Sequence, residues 1–240
     1  MRNKFLPFEI VYEDRDIIVI DKPAGLLTTN TRLVGRTARE AQPTAENFLN
    51  AYVRKGQLRS SKRVYLVHRL DRETSGVMMF AKDERLADAI RDRWNELTEK
   101  TYVATVEGVL EADEGVFESR LQEDADGYRV RSVAKGGKPA RTEWRKISPR
   151  RDRSVSPPSE GAPQRGRGTP ASPERKTTTV EVALKSGRKN QIRVHFSEAG
   201  HPVVGDVKYG GKKADRLYLR SVKLVFTHPF TDRRLEFAAP

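Results

Sequence analysis

The residues best suited to chemistry stand together in one charged turn, His-Arg-Leu-Asp-Arg-Glu-Thr-Ser-Gly, at positions 68–76. Short apolar runs flank this charged turn at 64–67 and 77–81, and their partly β-branched, turn-bounded character predicts buried strands. A loop held between two core strands is a rigid place for catalytic groups. The alternative is a turn in which Asp71 only caps nearby backbone amides. The ionisable side chains of the charged turn belong to His68, Arg69, Asp71, Arg72 and Glu73.

A second group of polar residues lies where a predicted strand at 177–185 turns into a helix. Ile192, Phe196 and Ala199 have the spacing of an inner helical face, and Gly200 follows as the expected C′ stop. Because the amides at a helix start attract anions, this segment predicts a site for a phosphate or a carboxylate, with a solvated basic helix start as the alternative. Its polar side chains belong to Arg188, Lys189, Asn190, Gln191 and Arg193.

Hydrophobic periodicity predicts the elements that position these groups. Residues 9–20 form a hairpin, and i, i+3, i+4 spacing predicts helices over 44–55 and 83–97. Strict alternation over 100–108 predicts a strand with Tyr102 on its apolar face, where the simplest role of the ring is to fill the core. Further short strands are predicted at 116–121, 128–134, 140–147, 217–227 and 233–237. Together these elements indicate an α+β fold, with helices flanking a mixed, largely antiparallel sheet.

The composition indicates a partner with many negative charges. The 240 residues carry 46 Lys and Arg against 33 Asp and Glu, a formal net charge of +13. Nucleic acid is the leading partner, and an anionic membrane surface is the second. No apolar run approaches the roughly 18 residues of a membrane-spanning helix, so we expect a cytoplasmic protein. Because the chain has no cysteine and only four histidines, a zinc site is not expected.

One composition break interrupts the chain at 148–176. This segment holds six of the 13 prolines and almost no large apolar residue, so it cannot bury enough surface to offset its ordering entropy. We expect a disordered insertion within a single domain that spans 1–240. A second basic and polar stretch, at 32–42, is predicted to be a mobile loop.

The motifs in this order resemble the RluA-type pseudouridine synthases. The charged turn is similar to the signature loop of that family, and the resemblance runs collinearly over nearly the whole chain except the insertion. Four further motifs support it: 22–25 (Lys-Pro-Ala-Gly), 100–102 (Lys-Thr-Tyr), 187–195 (Gly-Arg-Lys-Asn-Gln-Ile-Arg-Val-His) and 200–210, with Gly-His-Pro, Gly-Asp and Tyr-Gly. The resemblance implies the pseudouridine synthase fold with a basic RNA-binding cleft. It also implies isomerisation of uridine to pseudouridine in RNA without cofactor or metal.

The resemblance also implies a role for individual residues. Asp71 matches the catalytic aspartate, and a carboxylate beside an anomeric carbon can attack it or assist loss of the base, as in glycosidases. Arg193 matches the arginine that pairs with that aspartate, and Tyr102 matches the ring that stacks on the target uracil and is a candidate for final removal of the C5 proton. Ile192 matches the apolar position on the other side of the base.

Further matched positions would bind substrate. Arg69 matches the arginine that replaces the target nucleotide when it is flipped out, which suits looped or single-stranded sites in rRNA or tRNA. The other expected substrate-binding residues are His68, Lys22, Arg188 and Gln191. The chain departs from the family pattern at Lys189-Asn190, where Thr-His is common, and at Arg220-Ser221, where His-Ala is usual. We expect a monomer without the S4 RNA-binding module that many relatives carry.

Two other functions stay open at this point. One is a non-catalytic RNA-binding protein or RNA folding factor on the same scaffold, which the intact set of Asp71, Tyr102 and Arg193 argues against. The other is a metal-dependent nuclease that uses Asp71 and Glu73, although the sequence offers no further clustered acidic ligands for Mg²⁺. The sequence leaves the modified uridine open.

Overall fold

The computed structural model describes residues 6–30, 43–55, 57, 59–147 and 176–240. The loop predicted at 32–42 and nearly all of the predicted insertion, 148–175, lie outside these residues. The chain divides into two compact units, the first comprising Met1–Tyr102, Ala183–Lys189 and Arg220–Pro240, the second Val103–Val182 and Asn190–Leu219. Within the described ranges, no helix has the length and apolar character needed to cross a bilayer.

Strands and helices follow one another along the described chain in a mixed order. They are β1 (Glu9–Glu13), β2 (Ile17–Lys22), α1 (Ala45–Arg54), β3 (Tyr65–Leu66), β4 (Ser75–Ala81), α2 (Glu84–Asp92), α3 (Trp94–Leu97), β5 (Thr98–Glu107), β6 (Glu114–Glu123), β7 (Val130–Ser132), β8 (Lys138–Lys146), β9 (Thr177–Leu184), α4 (Gln191–Glu198), β10 (Leu219–Thr227) and β11 (Arg234–Ala238). A short 3-10 helix, Val207–Tyr209, lies between α4 and β10. The predicted α+β class is confirmed.

The first unit is built on a mixed sheet. Strand β2 pairs antiparallel with β1 and with β4, and β11 pairs antiparallel with β10, whereas β10 pairs parallel with β4. The apolar runs 17–20 and 77–81 are fully buried because β2 and β4 lie side by side in the sheet interior. The predicted hairpin and the predicted strand after the charged turn are therefore confirmed.

Gly76 permits the close approach of β4 and β10 at the end of the charged turn. It has a φ of +114°, and a Cβ at this position would lie 2.0 Å from the carbonyl oxygen of Ser221. Only glycine has both the backbone freedom and the missing side chain that this contact requires.

The second unit packs α4 against antiparallel strands. Strand β6 pairs with both β7 and β8. The ring of Phe117 on β6 lies 5.1 Å from that of Phe196 on α4 and 5.9 Å from that of Trp144 on β8, measured between centroids. These aromatic contacts fix the helix that carries the second group of polar residues.

The starts of α1 and α2 are confirmed, but the predicted extent of the second helix is wrong. Thr44 and Asp83 cap α1 and α2 as their positions suggest. The helix predicted over 83–97 is broken at Arg93, whose backbone leaves the helical region, and Trp94 instead places its ring on His68.

The helix after β9 also differs from its prediction. It begins at Gln191 after Asn190, so Arg188 and Lys189 precede it. Ala199, expected on the inner face, is exposed. The described side chains bury every position from 191 to 196, because β6, β7 and β8 supply packing partners that a single-helix periodicity cannot indicate.

Candidate functional site

The charged turn is anchored by its apolar members and leaves its charged side chains near solvent. Leu70 and Thr74 are buried, Asp71 is half-buried, and Arg72 and Glu73 are exposed. The amide of Thr74 donates to the backbone carbonyl of Asp71 at 3.2 Å, which closes the turn. The side chain of Asp71 is thus held on a fixed backbone.

Lys22 fastens the charged turn to the loop that follows β2. Its side chain is fully buried, and its ammonium group donates to the carbonyls of Pro23 and Leu26, each at 2.9 Å, and to that of Arg72 at 3.2 Å. The amide of Gly25 also donates to the Arg72 carbonyl, at 2.8 Å. Since an ammonium group has three N–H donors, all of them are used on backbone carbonyls.

A buried threonine secures the other side of the same turn. The hydroxyl of Thr28 donates to the carbonyl of Leu70 at 2.8 Å. The exposed Arg72 side chain donates in turn to the carbonyl of Gly25 at 3.1 Å. The backbone on both sides of Asp71 is therefore bonded to the segment 22–28, which explains why the Lys-Pro-Ala-Gly motif accompanies the charged turn.

The ammonium of Lys22 also supplies positive charge to the anionic part of the turn. Burial lowers the pKa of Lys22 to about 8, while the negative charges of Asp71, Glu73 and Asp21 act in the opposite direction. At neutral pH the lysine is still mainly protonated. Lys22 was predicted to bind substrate, and these contacts favour a role in holding the turn and balancing its charge.

Tyr102 lies close enough to Asp71 to feel its charge. The ring is buried at the centre of β5, and burial, followed by the Asp71 charge, raises the pKa of Tyr102, which a hydrogen bond from Ser221 partly offsets. The phenol is therefore neutral throughout the physiological range. The first unit thus brings together an aspartate, a lysine and a neutral tyrosine.

His68 ties the charged turn to strand β4. Its Nε2 accepts the Met79 amide at 3.0 Å, and its ring stacks on Trp94 with 4.4 Å between the centroids. Although the residue as a whole is half-buried, burial of the ring lowers the pKa of His68 to about 3, and the nearby Lys100 charge contributes. A neutral ring that accepts a hydrogen bond from Met79 and stacks on Trp94 favours a structural role over the predicted substrate contact.

Arg69 differs from its neighbours in the charged turn. It is exposed, and it has neither a hydrogen bond nor an ion pair with any residue that the structure describes. Arg188, the other arginine predicted to bind substrate, is half-buried in the first unit just before α4. Arg69 is thus available to a partner outside the protein.

The second unit carries Arg193 in a buried ion pair with Asp206. The guanidinium donates to both carboxylate oxygens, Nε and Nη2 each at 2.7 Å, and a longer 3.4 Å contact joins Nη1 to the Asn190 side chain. Arg193 is 6% exposed and Asp206 is 1% exposed. Sequence reasoning did not select Asp206 as a site residue, although the Gly-Asp motif at 205–206 was the available signal.

Gln191 and Ile192, the first two residues of α4, are both buried. The Gln191 amide donates to the carbonyl of Arg141 at 3.0 Å and to the hydroxyl of Thr142 at 2.9 Å, and that hydroxyl also contacts Nδ1 of His195 at 2.8 Å. Gln191 was predicted to bind substrate, and these bonds favour a role in fixing α4 to β8.

Arg220 and Ser221, which replace the usual His-Ala of the family pattern, also have partners in the first unit. Arg220 forms an ion pair with Asp21 at 2.9 Å, next to Lys22, and Ser221 bonds to Tyr102. Both contacts were missed, because they join β10 to segments that are distant in the sequence, Asp21 on β2 and Tyr102 on β5. A carboxylate with a nearby cation and a neutral aromatic ring can act on a sugar's anomeric carbon beside a stacked base.

Both the sequence and the fold of this chain are similar to those of known proteins. Residues 16–198 match the family model described as RNA pseudouridylate synthase. The chain is 33% identical to the uncharacterized RNA pseudouridine synthase YhcT of Bacillus subtilis over 97% of this chain and 68% of the relative. It is 33% identical to the dual-specificity RNA pseudouridine synthase RluA of Vibrio cholerae over 92% of this chain and 78% of the relative. The solved structure of human RNA pseudouridylate synthase domain containing 1 matches the fold with a TM-score of 0.67 and 20% identity, over 100% of this chain and 86% of that one.

Proposed function

The chain belongs to the RNA pseudouridylate synthase family, and from this premise we propose that it converts uridines in structured RNA to pseudouridine with Asp71 as the catalytic carboxylate. In this isomerisation the bond between ribose C1′ and uracil N1 breaks and a bond between C1′ and C5 forms. N1 gains a proton and C5 loses one, so no redox partner is consumed. The observation that carries the proposal is the fixed position of Asp71 beside Lys22 and Tyr102.

Asp71 would act on the anomeric carbon as an anion. The positive charge of Lys22 favours the ionised carboxylate, and the bonded backbone on both sides of Asp71 limits its movement. A carboxylate in this position can attack C1′ or stabilise positive charge that develops there when the base leaves.

Tyr102 would contribute its ring to the same step. Its raised pKa keeps the phenol neutral, which suits stacking on uracil and a hydrogen bond, and excludes a preformed phenolate as the base at neutral pH. In this proposal the detached base stays on the Tyr102 ring while it turns to present C5, and Ile192 supplies apolar packing. The pairing of Arg193 with Asp71 stays a prediction from the resemblance.

Arg69 would occupy the space that the flipped nucleotide leaves. Its exposure and its lack of a partner among the described residues support this role, because an arginine that replaces a base must be available to the RNA. Arg72 in the same turn differs from Arg69, because its side chain donates to the carbonyl of Gly25.

The proposed substrate is looped or single-stranded uridine in rRNA, tRNA or both. The formal charge of +13 supports binding to a phosphate backbone, and one relative is named for dual specificity. We further propose that the protein works as a cytoplasmic monomer with one catalytic domain.

The test is pseudouridine mapping of total RNA from cells with and without the gene, complemented by wild type or by Asp71→Asn. We expect discrete sites to disappear in the deletion and to return only with wild type. Asp71→Asn should retain RNA binding while activity falls by at least roughly a thousandfold. If well-covered RNA shows no pseudouridine that depends on the gene, the non-catalytic RNA-binding function becomes the better explanation. RNA cleavage that is lost in EDTA would favour the metal-dependent nuclease.

A further inference from the structure

A ladder of alternating aromatic and basic side chains runs through the second unit to Arg193. The Arg193 guanidinium lies 5.2 Å from the centroid of the Tyr209 ring, and the Lys208 ammonium lies 5.4 Å from that ring and 4.5 Å from the ring of Tyr128. We call these four residues the aromatic–basic strip.

The inner end of the strip is rigid. The Tyr209 hydroxyl accepts the Asn190 side-chain amide at 2.9 Å and the Val130 amide at 3.0 Å, while Asp206 holds Arg193. Tyr209 is thereby fixed between the β6–β7 hairpin and the start of α4.

The outer end is open to solvent although it is aromatic. Tyr128 is 62% exposed at the tip of the β6–β7 hairpin, and Val207, next to Lys208, is 63% exposed. Lys208 also donates to the carbonyl of Tyr128, which fixes the lysine against the hairpin tip. The hairpin tip therefore presents an exposed aromatic ring beside a lysine, where a ligand can reach both.

Two acidic groups lie near the hairpin tip. Asp126 accepts the Tyr128 amide at 2.8 Å, and Asp124 pairs with Arg131 at 3.1 Å. An exposed ring for stacking next to a cation for a phosphate is the combination with which proteins bind single-stranded nucleic acid.

We propose that the aromatic–basic strip binds unpaired nucleotides of the substrate RNA, with a base on Tyr128 and a phosphate at Lys208. The inference rests on the proposed function, because that function makes Arg193 part of the catalytic site. It adds a binding role for Tyr128 and Lys208, to which the family resemblance gives none.

The test measures binding of fluorescein-labelled oligouridylate by anisotropy, with every variant made in the full chain carrying Asp71→Asn so that the probe is not consumed. We expect Tyr128→Ala to weaken binding at least about fivefold and Tyr128→Phe to retain it, since stacking requires only the ring. The matched control is Phe230→Ala, because Phe230 is 64% exposed on the β10–β11 turn of the first unit and should not contribute.

Two further measurements separate stacking from charge. Lys208→Gln should reduce the slope of log affinity against log salt by about 0.7, the value for one phosphate contact on a single strand. Fully duplex RNA should bind Tyr128→Ala and the parent equally, because its bases are already stacked.

Equal affinities of Tyr128→Ala and Phe230→Ala for oligouridylate would overturn the inference and favour a protein-facing surface at the hairpin tip. That result would leave the proposed function intact if Asp71→Asn still abolishes pseudouridine formation. If instead the protein with Asp71 intact forms no pseudouridine, the proposed function fails, while the binding comparison still decides whether the strip contacts RNA.

Discussion

The charged turn of the first unit and the start of α4 in the second unit fix their candidate residues in opposite ways. Around Asp71 the bonds reach backbone atoms: Lys22 and Thr28 bind carbonyls of the turn. At Arg193 the bonds reach the functional side chain itself, through both oxygens of Asp206. The first arrangement fixes the backbone that carries Asp71, whereas the second fixes a charged side chain.

This difference predicts different responses to substitution. A buried charge that loses its partner is left with its full desolvation cost, whereas a carbonyl that loses a donor is a smaller loss. The start of α4 should therefore be the more fragile region thermodynamically. The charged turn should show its losses mainly in activity.

The largest effect is expected from Asp206→Ala. Arg193 and Asp206 are almost fully buried, so removing one partner should lower the free energy of unfolding by about 3–5 kcal/mol. Urea denaturation followed by fluorescence measures this loss. Asp206→Asn, which can still accept hydrogen bonds, should lose less. A loss below about 1 kcal/mol in Asp206→Ala would mean that another group compensates Arg193.

The next effect is a dependence of stability on pH that comes from Lys22. Burial lowers its pKa to about 8 from 10.5, so between these values the folded chain has released a proton that the unfolded chain still binds. Stability should therefore rise with pH over this window, by up to roughly 1.4 kcal/mol per pH unit, and below pH 8 the lysine should add no slope. Lys100, whose pKa is also lowered to about 8, adds a contribution of the same sign.

The difference between wild type and Lys22→Met isolates the contribution of Lys22 to this pH dependence. Denaturation at pH 8, 9 and 10 should give a shallower rise for Lys22→Met than for wild type. Identical slopes in the two proteins would show that Lys22 does not titrate in this range.

At pH 7, Lys22→Met should destabilise the fold by about 1–3 kcal/mol. The substitution keeps the length of the side chain but leaves the carbonyls of Pro23, Leu26 and Arg72 without this donor. Pseudouridine formation should fall further than this stability loss explains, because Asp71 loses both a nearby positive charge and a fixed backbone. Activity that is unchanged under conditions where the variant is folded would contradict the role of Lys22.

The sequence predicted the elements but not the contacts between distant segments. The cap residues Thr44 and Asp83, the hairpin, and most strands follow from local patterns, and all are confirmed. The parallel pairing of β4 with β10, which brings Ser221 to Gly76, joins segments more than a hundred residues apart, and periodicity carries no such information. The same limit explains why Asp206 was missed as a partner of Arg193, for which the resemblance gave only Asp71.

The motifs located the chemistry but could not divide it between reaction and support. Asp71 and Arg69 reach the surface of the charged turn, whereas His68 and Gln191 are occupied by bonds within the fold. All four residues belong to motifs of the family resemblance, and a sequence motif does not show which of its side chains are buried. Only the neighbours of each side chain distinguish a group that can meet RNA from one that holds a strand.

The smallest effect is expected from Thr28→Val, which removes one hydrogen bond to the carbonyl of Leu70 and keeps the size of the side chain. Its control is Thr178→Val in the second unit, where the hydroxyl donates to the carbonyl of Gly108 at 2.9 Å and accepts the Leu110 amide at 3.2 Å. Thr28→Val should lose about 1 kcal/mol of stability in thermal or urea denaturation, and Thr178→Val at least as much. Only Thr28→Val should also lower the rate of pseudouridine formation, because its carbonyl lies next to Asp71. If both variants lose activity equally, stability alone explains the losses, and the backbone of the charged turn has no special role in positioning the carboxylate.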